Sequence, residues 1–279
     1  MHLVKPDGDI IMAQSADSVN YYTMLRVTSR VSRAYCIAHS INYICYYGII
    51  RGFHPWQACY NRIYMLANLI ELGFEGWYVH LDADAWVQDA TYDLRSYFEG
   101  LPDTSFVFTP GGEGGVWDVN DGVFFANCAH PDTREVVRSW KDRAMAISAE
   151  ELRDASEWYQ VHCDQRLLHE ILQRDDHKLC SAIRYEDPRF FNGPGPGTRF
   201  IRQVLRAAYD SPEKRWDQIE LGAERALASH AASTDEAIGT FCALARALNL
   251  PIPLEREAIR DIMTDSSSLR TFLRKHLAQ

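Results

Sequence analysis

Over its first third the chain alternates short apolar runs with longer stretches of helical period. Residues 9–14 (Asp-Ile-Ile-Met-Ala-Gln) form an apolar run of strand length. Val19, Tyr22, Leu25, Val31 and Tyr35 then recur at spacings of three to four or their multiples, which predicts a helix over 18–38. Residues 41–50, rich in Tyr and Ile, read as a second strand. Pro55 in a first turn and Gly73 at an end bracket a second helix over 55–72. Residues 76–81 enter as a third strand that closes on Asp82-Ala83-Asp84. This β-α-β-α-β order predicts an α/β fold with a mostly parallel sheet covered by helices on both faces.

The later pattern is more mixed. Residues 105–108 and 122–126 read as strands, with a glycine-rich loop at 111–115 between them that could act as a flap. Helices are predicted over 132–147 and 157–173. The Gly193-Pro194-Gly195-Pro196-Gly197 run demands a loop. Ser233 and Glu236 form a capping-box pair, after which Ile238, Phe241, Ala245 and Leu248 line one helical face. The expected division is a domain over 1–232 and a helical extension over 233–279 packed on it.

Composition narrows the function classes. With 47% apolar and 24% charged residues, the chain is of globular type. Lys and Arg number 29 against 38 Asp and Glu, a formal net charge of −9, the wrong sign for a general nucleic-acid binder. No window approaches the roughly 20 unbroken apolar residues of a membrane span. Residues 1–9 lack a leader's basic start and apolar segment. The seven cysteines are scattered without a CxxC pair, as in a reduced, cytoplasmic protein.

The chemistry concentrates at Asp82 and Asp84. In an open parallel sheet, ligands bind beyond the carboxyl ends of the strands. Carboxylates at i and i+2 of an extended backbone share a face about 6.6 Å apart and can reach one oxygen-loving cation. Two buried like charges without a counter-ion are costly. The pair therefore predicts Mn²⁺ or Mg²⁺, which also gives an acidic protein a way to bind an anionic ligand.

Several ordered segments carry a resemblance. They are Gln14-Ser15-Ala16-Asp17 after the first strand, His39-Ser40-Ile41-Asn42-Tyr43, His54-Pro55-Trp56 with Arg62 following, Asp82-Ala83-Asp84-Ala85, Asn120-Asp121-Gly122 opening a strand, Cys163-Asp164-Gln165, and Ser229-His230. Over roughly residues 10–230 the chain resembles a GT-A-fold glycosyltransferase with a DxD motif. Within that group it is most similar to the retaining family of fungal α-galactosyltransferases and plant xyloglucan α-xylosyltransferases. Ala58 stands where that family has a lysine, and His80 where it has an aromatic.

The resemblance implies a metal-dependent transferase that moves a hexose or pentose from a nucleotide-diphosphate sugar, a UDP-sugar, to a glycan or other hydroxyl acceptor. Ala13, Gln14, Ser15 and Asp17 would underlie base and ribose. Arg62, Asp82, Asn120 and Asp121 would contact the donor, and Asp82, Asp84 and His230 would hold the cation. Asp164 and Gln165 would act at the transferred sugar. His80, two residues before Asp82, is read as packed within the sheet in preference to ligating a metal. The rivals are a haloacid-dehalogenase-like phosphatase using Asp82 and Asp84, and an inactive sugar-nucleotide-binding protein. The phosphatase pattern wants its motif on an early strand and Thr or Val where Trp86 stands.

Overall fold

The computed structural model describes residues 8–174, 176–206, 210–263 and 266–277. Most of the expectation for residues 1–9 therefore lies outside the described residues. The first half of the chain runs β1 (Ile10–Ala16), α1 (Tyr22–Ala38), β2 (Asn42–Tyr47), α2 (Asn61–Glu71), β3 (Trp77–Leu81), β4 (Ala85–Val87), α3 (Leu94–Glu99), β5 (Phe106–Pro110) and β6 (Val119–Asn127). Next come α4 (Pro131–Ala146), α5 (Ala149–Asp154), α6 (Asp164–Arg174), α7 (Asp176–Leu179), β7 (Ile183–Tyr185), β8 (Phe191–Gly193), β9 (Ile201–Gln203), α8 (Pro212–Ala247), α9 (Arg256–Met263) and α10 (Ser266–Leu277).

The main sheet has the order β2-β1-β3-β6-β5-β7. Every strand in it is parallel to β1 except β6, which runs against both β3 and β5. The side-chain alternation of a strand divides the core in two. Ile11, Ala13, Tyr78 and Phe124 belong to the cluster on one face, with α2, α4 and α6. Ile10, Met12, Val79, Leu81 and Phe125 belong to the other, with α3 and Tyr35 of α1. Burial on both faces is why β1 and β3 read as nearly unbroken apolar runs. A small second sheet, β4-β9-β8, lies beyond the aspartate pair.

Local chemistry sets several boundaries differently from the sequence pattern. The helix predicted from residue 18 starts at Tyr22, because the Asp17 carboxylate accepts from the Val19, Asn20 and Tyr21 amides and holds that turn. Val19 is consequently exposed. The helix predicted over 157–173 begins only at Asp164; a separate short helix, α5, precedes it behind a Ser148–Glu151 capping box. Asn120 and Asp121, read as preceding a strand that starts at Gly122, lie inside β6. The glycine loop is tied down: Gly111 donates to the Asp118 carbonyl at 2.9 Å, and the Asp118 carboxylate accepts from the Glu113 and Gly114 amides.

The C-terminal correction is larger. Ser211 caps α8 and Pro212 takes its first position, so the helix starts well before Ser233 and runs 36 residues without interruption. The boundary drawn at 232/233 falls inside it. Ile219, Ala223 and Ala226 pack on Val31 and Trp86 of the main domain. Phe241 and Ala245 instead join Leu250 and Ile259 in a separate small cluster. An apolar cavity of about 600 Å³ adjoins that cluster, lined by Phe241, Leu244, Leu250, Met263, Leu269 and Leu273 among others. Among the described residues no helix is long and apolar enough to cross a membrane.

Candidate functional site

Asp82-Ala83-Asp84 follows β3 as a tight turn, with the Ala85 amide donating to the Asp82 carbonyl at 3.0 Å. Four neighbours fix this turn. The buried Gln14 of β1 donates to the Asp82 and Ala85 carbonyls at 3.1 and 3.0 Å. Thr28 of α1 donates to the Ala83 carbonyl at 2.9 Å. Asp82 N donates to Gly122 of β6 at 2.8 Å, and Val204 N donates to Asp84 at 3.1 Å. A turn replaces the extended spacing expected from the sequence, but both carboxylates still converge. Nε2 of Gln203, on β9, donates to Asp82 Oδ2 at 3.1 Å and to Asp84 Oδ1 at 3.0 Å.

Two buried arginines flank the pair. Arg62 of α2 reaches Asp82 Oδ1 at 2.5 Å, Asp121 Oδ1 at 3.0 Å and Asp164 Oδ2 at 2.9 Å. Arg215 of α8 pairs with Asp84 alone. Four carboxylates thus face two guanidiniums, so all four can stay ionised together only with further positive charge. The proton affinities reflect this. Burial, then the charge of Asp82, pushes Asp84 up to about 6, against the pull of Arg215 and Gln203. Burial also raises Asp82, and burial with the nearby Asp164 and Asp82 charges raises Asp121 well above the carboxylate range despite Arg62. One oxygen of Asp121 is buried with no hydrogen-bond partner.

A divalent cation fits this surplus. Asp82 and Asp84 present oxygens to one point, and the Asp82 carboxylate is 30% exposed, which leaves it reachable from solvent. Among the described residues no group of three or more His, Cys, Asp or Glu side chains is arranged to hold a metal ion. The pair would therefore leave the remaining positions of an oxygen shell to phosphate and water, as Mg²⁺-type sites do.

The other expected site residues divide sharply. Arg62, Asp121 and Asp164 join the aspartate pair, but Arg62 is engaged by carboxylates and is not a free phosphate contact. Gln165 is half-buried beside them, its Oε1 accepting from the Asp121 amide at 3.4 Å. Asn120 accepts from the Gly122 amide at 2.8 Å and remains partly exposed. Ala13 and Gln14 are wholly buried and Asp17 nearly so, so their side chains support the site from beneath. Ser15 alone of that group is partly exposed.

His230 is not brought into the cluster. Its ring meets the Val87 carbonyl at 3.3 Å and the edge of Tyr35. Val87 lies three residues beyond Asp84, about 10 Å along a strand. The continuous α8 sets this position, which the expectation of a loop before residue 233 misplaced. His80 is packed as expected: it stacks on Phe124 at 5.2 Å, and burial and Arg62 hold its pKa well below the usual range.

Gln203 and Arg215 were missed in the sequence. They lie 119 and 131 residues from their carboxylate partners, and no local pattern marks either. A structural signal does accompany Gln203. A Cβ on Gly122 would sit 2.6 Å from its Nε2 and 3.0 Å from Asp82 Oδ2, so only glycine permits this approach.

No protein-family model matches the sequence, and no curated protein matches it in sequence. Similar solved structures include a glycosyltransferase involved in glycosylation of the major capsid of PBCV-1, at 16% identity and a TM-score of 0.56, covering 77% of this chain and 100% of that one. The galactosyltransferase LgtC matches at 16% identity and a TM-score of 0.45, over 80% of this chain and 95% of that one. GlyE of Streptococcus pneumoniae TIGR4 matches at 13% identity and a TM-score of 0.45, over 80% of this chain and 63% of that one. The mixed sheet and its flanking helices are those of a GT-A-type α/β fold, and further helices follow at the C-terminal end.

Proposed function

We propose that this chain is a metal-dependent retaining glycosyltransferase that uses a nucleotide-diphosphate sugar, a UDP-sugar, and a hydroxyl acceptor. The observation that carries the reading is the charge balance at the carboxyl ends of the parallel strands. Four carboxylates face two guanidiniums, and the partly exposed Asp82 and the buried Asp84 converge on the Gln203 amide. The GT-A-type fold supports the same reading.

Asp82 and Asp84 would hold Mn²⁺ or Mg²⁺, which supplies Lewis-acid stabilisation of the departing diphosphate. Gln14, Thr28 and Gly122 keep the aspartate turn in one geometry before a donor arrives. Arg62 holds Asp121 and Asp164 close to Asp82 and orients the wall of the sugar pocket. Ser15 at the strand end and Asn120 on β6 offer partly exposed polar groups for ribose and sugar. Gln165 presents an amide beside Asp121, where its carbonyl dipole can stabilise positive charge at the anomeric carbon. Asp164, buried and paired with Arg62, would hold sugar hydroxyls and not attack the anomeric carbon. With retention, which the family resemblance implies, substitution would take place on one face and an α-linked donor would give an α-linked product. None of the seven cysteines is in a disulfide, which supports a reducing compartment, and we assign the protein to the cytoplasm.

The test is hydrolysis and transfer with UDP-glucose, UDP-galactose and UDP-xylose, with Mn²⁺ or EDTA present. Turnover with Mn²⁺, its loss in EDTA and in a folded Asp84→Asn variant, and an α-product by anomeric proton NMR are expected. Turnover indifferent to both removes the metal role, and a β-product removes retention. Saturable donor binding without turnover selects the inactive binding protein. Release of phosphate from simple phosphomonoesters selects the phosphatase.

A further inference from the structure

The nine residues between α5 and α6 form a tethered loop where a helix was expected. At its start, Trp56 Nε1 and Gln57 Nε2 donate to the Ala155 carbonyl at 2.9 and 3.3 Å. At its end, the Tyr60 hydroxyl donates to the His162 carbonyl at 2.6 Å, and Trp140 Nε1 donates to the Asp164 carbonyl at 2.9 Å. Its apex is a turn closed twice: Gln160 N donates to the Glu157 carbonyl at 3.1 Å, and Glu157 N donates to Gln160 Oε1 at 2.8 Å. The two central positions, where polar residues or glycine usually stand, hold Trp158 and Tyr159. These side chains are 56% and 70% exposed, and their rings meet edge-to-face at 6.1 Å.

We propose that Trp158 and Tyr159 form a stacking platform for a sugar ring of an oligosaccharide acceptor. The proposal rests on the transferase reading above and names its acceptor class. Three features point to a sugar. Firstly, both flanks of the loop lead into the site: Tyr60 immediately precedes α2 with Arg62, and Asp164 opens α6. Tyr159 lies five positions before Asp164, so chain length keeps them within about 18 Å, a span of a few sugar units. Secondly, a pyranose offers a face of polarised C–H groups, which the negative face of an aromatic ring attracts. Covering the rings also removes apolar surface from water. Thirdly, the surroundings are polar: Glu157, Gln160, His162 and Arg166 are all exposed, with His162 and Arg166 turned to Glu170 at 2.9 and 3.5 Å. Two rings in such a rim suit one sugar and fall far short of the roughly 800 Å² per side of a stable protein interface. The platform would grip a unit distal to the reacting hydroxyl, so it matters for oligosaccharides and not for monosaccharide acceptors.

The experiment applies the full chain, with Mn²⁺ and UDP, to a printed array of bacterial, plant and animal oligosaccharides. The proteins compared are wild type, Trp158→Ala/Tyr159→Ala and Trp158→Phe/Tyr159→Phe. Wild-type binding to at least one oligosaccharide is expected. A loss of about tenfold or more in the alanine pair, and recovery in the phenylalanine pair, is also expected. Both side chains are exposed, so circular dichroism should show all three proteins folded. Equal binding by the alanine pair overturns the platform, and so does the absence of wild-type binding anywhere on the array. The parent reading is measured separately on the same samples, by the rise in Tm on adding UDP or the UDP-sugars with Mn²⁺. If no rise occurs with any of them, the transferase reading falls, and the acceptor role falls with it whatever the array shows.

Discussion

Arg62 and Arg215 are both buried guanidiniums, and their surroundings differ in one respect. Arg215 meets a single carboxylate, a backbone carbonyl and the face of Tyr21. Its charge is balanced. Arg62 meets three carboxylates and is outnumbered. The lesson is that burial alone does not mark a functional centre here. A guanidinium matched one to one leaves no surplus charge of its own, whereas the three carboxylates on Arg62 need protons or a cation from outside.

The largest effect should come from breaking the unbalanced side. Arg62→Met would leave two buried carboxylates, Asp121 and Asp164, and the partly exposed Asp82 without their cation, and a loss of about 3–5 kcal/mol is expected for a broken buried pair. Urea unfolding measures it. A variant of wild-type stability would mean that the three carboxylates are already neutral.

The second test is pH, and the sign follows from Asp84. Its folded-state value is raised from 3.8 to about 6. The folded protein therefore binds this proton more tightly than the unfolded chain does. The stability it contributes is fully present below 3.8 and is lost as pH rises through about 6. In EDTA, the difference in Tm between wild type and Asp84→Asn should move in favour of wild type as pH falls through this window. Mn²⁺ should raise wild-type Tm most above pH 6 and progressively less below it, because protons and metal compete for the same oxygens. A metal increment independent of pH would separate the cation from this pair.

The smallest effect belongs to His230. His230→Gln should cost about 1 kcal/mol, the worth of one hydrogen bond. It should leave the Mn²⁺ concentration for half-activation unchanged. A tenfold rise in that concentration would restore His230 as a metal ligand.

The same contrast explains what could be read from the sequence. Most strands and helices of residues 10–81 were legible because they bury a continuous face and so carry a period, whereas the largely exposed β2 was legible through its run of Tyr and Ile. Asp82, Asp84, Arg62, Asp121 and Asp164 were legible as parts of short local motifs. Their mutual arrangement was not: the resemblance put Arg62 at the donor, and tertiary packing pairs it with carboxylates. Gln203 and Arg215 arrive from the C-terminal third, where no spacing rule links them to β3. Ala13, Gln14 and Asp17 stood at the right strand end, yet their side chains face inward, and a motif does not report depth. The Trp158–Tyr159 turn was hidden within a segment of helical period, because the capping box at Ser148 and the tethers from Trp56 and Tyr60 decide where that period begins.

The length of α8 has a mechanical consequence. At 1.5 Å per residue its 36 residues make a rod of about 54 Å. Arg215 near one end touches Asp84, His230 midway touches Val87, and Phe241 near the far end anchors the small apolar cluster. A flexible joint between body and tail would absorb a load placed on the tail. A continuous hydrogen-bonded helix delivers that load as leverage on the aspartate turn. Whatever grips the last three helices therefore acts on the far side of a beam whose fulcrum is β4.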